Sequence, residues 1–327
     1  MDKYNVFGLG NALVDYVVQI DEDFLKKNDV RKGVMTLVEN DYQKKLLEAL
    51  KDLNPELHSG GSAANTMIGI ARCGGTAFYT GKVASDPNGA FYKSDLKEAG
   101  VDFSVPPGSG QTGTCLVMTT KDGDRTMLTN LGISSEISNS DIDSDRIKES
   151  SILYVEGYLW DKQNSKDASV YAMQEAKKLG KKIAYTYSDP FCVNRSREDF
   201  IRISKEFVDI AFCNHEEAMA MTETDNPEDA IRLMGDFAPL VFMTWGSHGA
   251  YVSNEGVEKH IPGFPVKAVD SNGAGDGFAA GVLYGLTHGF SVEKACRWGN
   301  YVASRIILEM GPRINYSLSD KIEEILG

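Results

Sequence analysis

Short segments rich in β-branched and aromatic residues alternate along this chain with segments whose apolar residues recur at helical spacing. No other feature constrains the fold as tightly. The strand-like runs are residues 4–9, 76–83, 152–155, 182–187, 208–213 and 240–245. Helical stretches lie between them: 42–53, with Leu46, Leu47, Leu50 and Leu53 on one face, then 63–73, 89–99, 166–179 and 276–288. Parallel strands need long crossover connections, usually helices, so the pattern predicts an α/β protein with a mostly parallel central sheet between two helical layers.

Two stretches break the alternation. One, around residues 15–39, holds candidate strands at 14–20 and 34–38; the other, 101–130, holds 113–120 and 125–129 around the turn Lys121-Asp122-Gly123-Asp124. An Asp-Gly turn between strands predicts a β-hairpin. Both stretches read as a small β-sheet lid projecting over a cleft, the alternative being edge strands of the main sheet. The expected division is a large domain of residues 1–12, 40–100 and 131–327 and a small lid of 13–39 and 101–130. No repeat, low-complexity tract or linker interrupts the chain, so the lid is expected to be an insertion.

Composition narrows the partners. With 327 residues, 42% of them hydrophobic and 25% charged, the chain can bury a large core. Its 34 Lys and Arg against 47 Asp and Glu leave a net charge of -13, which repels nucleic acid and anionic membrane surfaces. Five cysteines without a CxxC pair indicate neither a disulfide framework nor a zinc site. The N-terminus lacks a signal-peptide profile, and the apolar run 277–286 falls short of the roughly 20 residues a spanning helix needs. The expectation is a cytoplasmic protein, monomer or homodimer, with a small-molecule ligand.

The sharpest local signal is Asp270-Ser271-Asn272-Gly273-Ala274-Gly275-Asp276-Gly277-Phe278, where a glycine-rich turn opens an apolar helix. The first amides of such a helix are unpaired, and glycines let a ligand approach the backbone, so the turn suits an anion, phosphate foremost. Asp276 reads either as a helix cap or as a carboxylate facing an incoming hydroxyl; a plain cap does not require two preceding glycines. Other phosphate motifs fail on context. Residues 75–83 lack Walker spacing, and 108–113 matches GxGxxG but leads into a strand with no kinase HRD or DFG behind it. Gly8-Leu9-Gly10 lacks a third glycine, and His215-Glu216 lacks the second metalloprotease histidine.

Three further groups bear on a site. Gly60-Gly61-Ser62-Ala63-Ala64-Asn65 precedes a helix and reads either as a backbone cradle for a hydroxyl-rich ligand or as a helix start capped by Ser62. Asn214 and Glu217 follow a strand, at the sheet edge where open α/β proteins bind ligands, though they could equally cap a helix. Asn11 and Asp15 follow the first strand at the same edge.

In combination these motifs resemble the ribokinase family, the PfkB carbohydrate and purine kinases, and within it the adenosine kinases. The resemblance covers nearly the whole chain and rests on residues 8–15, 60–65, Thr112-Gly113-Thr114-Cys115 with Arg125, 214–217 and 270–276. It implies a ribokinase-like three-layer α/β/α sandwich and ATP-dependent transfer of phosphate to a primary hydroxyl. By the resemblance, Asp15, Gly60, Gly61 and Asn65 would bind acceptor hydroxyls, with Asn11 nearby. Arg125 would meet the transferring phosphoryl, Asp276 would be the base, and Gly273, Ala274 and Gly275 would supply anion-hole amides. Asn214 and Glu217 would organise Mg²⁺ and its waters, while Gly246, Gly249 and Asn300 would lie along ATP. The family's use of a monovalent cation, K⁺, would implicate Asp270. Two departures concern the acceptor and the turn: within residues 156–160, Leu159 best matches the position where adenosine kinases place an aromatic ring, with Tyr158 or Trp160 as alternatives to supply it, and Ser271 replaces the usual threonine. The readings that follow are a nucleoside kinase with adenosine first, a sugar kinase for ribose or fructose, or a catalytically silent ligand-binding member.

Overall fold

The computed structural model describes residues 2–122 and 124–327. Its strands are β1 (Tyr4–Leu9), β2 (Leu13–Gln19), β3 (Met35–Leu37), β4 (Glu56–Gly60), β5 (Ala77–Thr80), β6 (Val101–Phe103) and β7 (Gly113–Thr119). They continue with β8 (Arg125–Asn130), β9 (Ser150–Glu156), β10 (Lys182–Thr186), β11 (Ile210–Asn214), β12 (Leu240–Thr244), β13 (Ala250–Asn254) and β14 (Val257–Ile261). Nine of them form one sheet in the order β14-β13-β12-β11-β10-β9-β1-β5-β6. From β6 to β12 every pairing is parallel; β13 and β14 turn back antiparallel at the edge.

Both faces of this sheet are covered, and strand alternation divides the core accordingly. Phe7, Leu9, Ile183 and Tyr185 point to one side, joining Met173, Phe200, Ile203 and Met234 from the helices Gln163–Lys178, Pro190–Phe207 and Pro227–Met234. Val6, Tyr154, Ala184 and Phe212 point to the other, against Met67, Phe278, Val282 and Cys296 of the helices Ser62–Arg72, Ala274–Thr287 and Val292–Ile306. This is the three-layer sandwich expected from the alternation. No helix is long and apolar enough to cross a membrane among the described residues, and all five cysteines are buried and unpaired.

The remaining strands form a separate five-stranded sheet, ordered β3-β8-β7-β2-β4, which overturns the alternative of edge strands in one sheet. β7 and β8 pair antiparallel as the hairpin pattern predicted, with Thr119 opposite Arg125; Gly123 of the turn lies outside the described residues. One face of the small sheet buries Val18, Leu116, Met118 and Leu128 against Leu25, Leu46 and Leu50 of two helices. The other face looks into a cavity.

Two expected boundaries need correction. The helix Asn40–Leu50 and β4 belong with the small sheet, although residues 40–100 were assigned to the large domain. β4 reads Glu-Leu-His-Ser-Gly, with no β-branched residue to announce a strand; pairing with β2 makes it one. Conversely β6, placed in the lid by its position after residue 100, pairs with β5 at the edge of the main sheet. Three residues are too few for a periodic signal.

The topology sets the position of any ligand. β1 is flanked by β5 on one side and β9 on the other, so the connections run outward in opposite directions from its carboxyl end. Open α/β sheets bind ligands at such a switch point.

Candidate active site

A cavity of about 590 Å³ opens at the carboxyl ends of β1, β9, β10 and β11, roofed by the inner face of the small sheet. Its floor is the start of the helix Ala274–Thr287. Gly273 precedes this helix in the left-handed conformation, φ 71°, and a Cβ there would lie 2.0 Å from the carbonyl oxygen of Pro312. Only glycine fits. No side chain caps the helix; the Ala274 amide makes one long bond to the Ser271 carbonyl (3.4 Å), and this first turn lines the cavity with the positive end of the helix dipole behind it.

Asp276 is therefore not the cap that its position allowed. Its carboxylate is held from the side: Ser62 Oγ donates to Oδ1 at 2.6 Å and Asn65 Nδ2 to Oδ2 at 3.2 Å. Burial pushes its pKa up to about 6, and these two hydrogen bonds restrain the rise. At neutral pH the group is mostly ionised yet basic enough to take a proton. The Oδ1 of Asn65 is buried without a protein partner, an acceptor open to a ligand hydroxyl.

The helix bearing Ser62 and Asn65 starts from Gly61, whose φ of 103° favours glycine and whose Cβ would strike the Asn11 carbonyl at 2.1 Å. Glu156, at the end of β9, joins this corner by accepting from the amides of Asn11 (2.7 Å) and Ala63 (2.8 Å). Burial raises its pKa to about 7 against those two bonds. Asp15 on β2 closes the corner, its carboxyl covering Gly60 so closely that a Cβ there would come within 2.3 Å. Burial pushes Asp15 up to about 7; the charge of Arg313 pulls it down, and nearby Asp276 pushes it further up.

On the opposite wall Asn214 and Glu217 bind each other reciprocally. Asn214 Oδ1 accepts from the Glu217 amide at 2.8 Å, while Glu217 accepts from the Asn214 amide (3.1 Å) and Nδ2 (2.7 Å). The pair is thus both a helix cap and part of the cavity wall. Burial raises Glu217 to about 8.

Arg125, on β8, reaches from the roof to Asp270 and forms an ion pair with it. Asp270 also accepts from the amides of Asn272 (2.9 Å) and Gly311 (2.8 Å). The Asp270 carboxylate thus carries a guanidinium and two amides on its oxygens. Burial lowers the Arg125 pKa to about 10, with Asp15 resisting, so it stays charged at neutral pH. Its Nε and Nη1 are buried without partners.

The structure thus gathers Asn11, Asp15, Gly61, Asn65, Arg125, Asn214, Glu217, Gly273, Ala274, Gly275 and Asp276 on one cavity. Gly60 and Asp270 sit just behind it. Gly246, Gly249 and Asn300 do not line it: the glycines form the turn after β12, and Asn300 Nδ2 donates to the carbonyls of Ile261 (3.0 Å) and Pro262 (3.2 Å). Glu156 escaped the sequence reading as a site residue, although a charge ending the apolar run 152–155 at a carboxyl edge is a signal that could have found it.

Residues 34–318 match the family described as pfkB family carbohydrate kinase. The chain belongs to this family. It is similar to a solved adenosine kinase from Sinorhizobium meliloti, at 36% identity and a TM-score of 0.92 over 98% of this chain and 99% of that one. It is also similar to a probable sugar kinase from Rhizobium etli CFN 42, at 33% identity and a TM-score of 0.93, covering 99% of both chains. An adenosine kinase of Saccharomyces cerevisiae is 28% identical, over 94% of this chain and 98% of its own length. The chain is an ATP-dependent PfkB kinase acting on a sugar or nucleoside.

The buried carboxylates of this kinase have a measurable consequence. Asp15 and Glu156 titrate near 7 and Glu217 near 8 in the folded state, above the ordinary carboxylate range by burial. The folded protein therefore binds more protons than the unfolded chain up to about pH 8, and stability falls as pH rises through these values. Thermal unfolding at fixed ionic strength is expected to show a higher Tm at about pH 6.5 than at about pH 8. A Tm that rises over the same interval would mean that these groups are ionised and solvated.

Proposed function

We propose that this kinase phosphorylates the 5′-hydroxyl of a nucleoside, adenosine foremost, using ATP. The observation that carries the choice of acceptor is the roof. Asp15 pairs across the small sheet with Cys115, Cys115 with Thr129, and Thr129 with Leu37, so the four form one row over four strands, all lining the cavity. The adjacent row is Val117, Met127 and Met35. Strands lie about 4.8 Å apart, so the row runs about 14 Å outward from Asp15. Beyond that carboxylate it presents carbon and sulfur, since the Thr129 hydroxyl donates to Cys115 Sγ at 3.3 Å. A free sugar would satisfy the Asp15 end and leave the aliphatic rows uncovered; a nucleoside places ribose at one end and its base beneath the other.

In this reading Asp15, Asn65 and the backbone at Gly61 hold the ribose hydroxyls, with Glu156 fixing Asn11 and the helix start. The 5′-oxygen attacks the γ-phosphorus, the bond from that phosphorus to the β,γ-bridging oxygen breaks, ADP leaves, and the hydroxyl proton passes to Asp276. A loose transition state keeps the proton on the alcohol until late, so a weak base suffices. The amides after Gly273 and the free Nε and Nη1 of Arg125 meet the charge spread over the phosphoryl oxygens. Glu217 beside Asn214 would hold Mg²⁺ from the nucleotide wall, through water, because both carboxylate oxygens already accept from Asn214. When bound, the ion supplies charge neutralisation across the phosphates. The small sheet, carrying Arg125, serves as the lid that excludes water.

The test is ADP release in the presence of Mg²⁺, ATP and a panel of nucleosides and sugars. Adenosine should exceed ribose and fructose in kcat/KM by about 100-fold, the equivalent of about 2.7 kcal/mol of buried base. Preference for a free sugar would overturn the nucleoside reading and leave the kinase reading intact.

A further inference from the structure

The segment 311–313 touches both halves of the cavity. The Gly311 amide donates to Asp270 at 2.8 Å, and the Pro312 carbonyl lies against Gly273 where only a glycine leaves room. Arg313 then turns the other way. Its Nη1 donates to Ser59 Oγ at 3.1 Å and its Nη2 to Asp95 Oδ2 at 2.7 Å, while Asp95 Oδ2 also accepts from the Ser59 amide (2.9 Å) and hydroxyl (2.6 Å). The Arg313 side chain is only 8% exposed, an expensive location for a charge whose sole purpose is packing.

Ser59 and Gly60 are neighbours in β4: Arg313 binds the first and the carboxyl of Asp15 covers the second. We propose that Arg313 is a positioning residue of the acceptor site, which ties the anion-hole loop to β4 and supplies the positive field that keeps Asp15 a hydrogen-bond acceptor for sugar hydroxyls. The inference rests on the acceptor assignment made above for Asp15.

The electrostatic surroundings of Asp15 single out this arginine. From β4 it faces His58, from β7 Cys115, from the helix Pro87–Glu98 Tyr92, from the floor Asp276 and from β8 Arg125. Cys115 and Tyr92 are neutral at working pH because burial raises both, and burial lowers His58, which keeps its ring neutral near pH 7. Asp276 repels. Both positive groups are themselves paired, Arg125 with Asp270 and Arg313 with Asp95, and Arg313, bound to the residue next to the one that Asp15 covers, has the larger effect on Asp15.

The test is direct titration of Asp15 by carbon-13 NMR on carboxyl-labelled aspartate, its resonance identified by loss in Asp15→Asn. In Arg313→Gln the titration midpoint should rise by about one pH unit, the size of effect a nearby opposite charge has on a carboxylate. Arg313→Lys should leave it nearly in place. An unchanged midpoint in Arg313→Gln overturns the proposal. Should that variant not fold, Arg313→Lys decides by kinetics. Lysine keeps the charge but cannot fork between Ser59 and Asp95, so the acceptor KM should rise about fivefold with ATP KM unchanged. An unchanged acceptor KM overturns the proposal. A wild-type enzyme that phosphorylates no nucleoside would sink the acceptor assignment, whereas the titration reports on Arg313 by itself.

Discussion

Asp276→Asn lowers kcat by roughly 10²- to 10⁴-fold, the range that a positioned general base contributes, while the KM for ATP stays within about twofold. The reasoning starts from what surrounds the carboxylate. Ser62 and Asn65 aim it at the cavity, and burial places its pKa at about 6, so it is ionised at neutral pH without being strongly stabilised. Asparagine has the same shape, and the Ser62 hydroxyl can still donate to its amide oxygen, so the fold survives and the loss is chemical. Removing a buried charge should leave Tm unchanged or slightly higher. Wild-type kcat should also fall with acid through about pH 6, as Asp276 is protonated, and this limb should vanish in the variant. Full turnover in Asp276→Asn would transfer the proton-accepting role to another group, Glu156 and Asp15 being the nearest candidates by burial and location.

What could be read from the sequence divides along a physical line. Elements announced by their own periodicity were legible: β1 falls on the expected residues, and the helix expected over 276–288 is present as Ala274–Thr287, starting two residues earlier with Gly273 as its cap. So were residues whose chemistry is local, such as the amides before Asp276. Elements that exist only through a partner were not. β4 is a strand because β2 needs an edge partner, and β6 because β5 does. The same holds for site residues. Asp276 could be named from its motif, but that its carboxylate is oriented by Ser62 and Asn65, more than 200 positions away in sequence, depends on the packing of two helices. Arg313 and Asp95 lie 218 positions apart and carry no motif. Asp270 shows the same limit from the other side. The family resemblance implied a cation ligand there, and no local pattern announces that the tertiary fold brings Arg125 of β8 against it.

These long-range contacts also explain why so many titratable groups are buried here. Asp15, Glu156, Glu217 and Asp276 are all raised by burial, which costs stability, and each lines the cavity. Several ion pairs elsewhere in the chain, such as Arg146 with Glu149 or Lys321 with Glu324, lie at the surface, where they are worth little. Clustering of raised carboxylates in one cleft is the pattern of a site arranged for chemistry.

Gly273→Ala should be the second severe lesion, and its comparison with Gly275→Ala separates geometry from occupancy. At Gly273 an alanine must adopt φ 71°, and its Cβ would sit 2.0 Å from a backbone oxygen of Pro312, which cannot swing aside as a flexible side chain would. Relief requires the segment 311–313 to move, and that segment also carries the Gly311 amide bound to Asp270 and the guanidinium bound to Ser59 and Asp95. The anion-hole amides would lose their aim together with their anchor. The expected result is a fall in kcat of about 10²- to 10³-fold, the cost of losing one well-aimed donor, accompanied by a lowered Tm. At Gly275 nothing lies within 4 Å of an added Cβ, so alanine there should leave Tm unchanged. Its methyl group enters the space where phosphate would approach the backbone, so turnover should fall without loss of stability. Turnover at the wild-type level in both variants would place the phosphate-binding amides elsewhere in the cleft, and the start of this helix would then be only a tight turn.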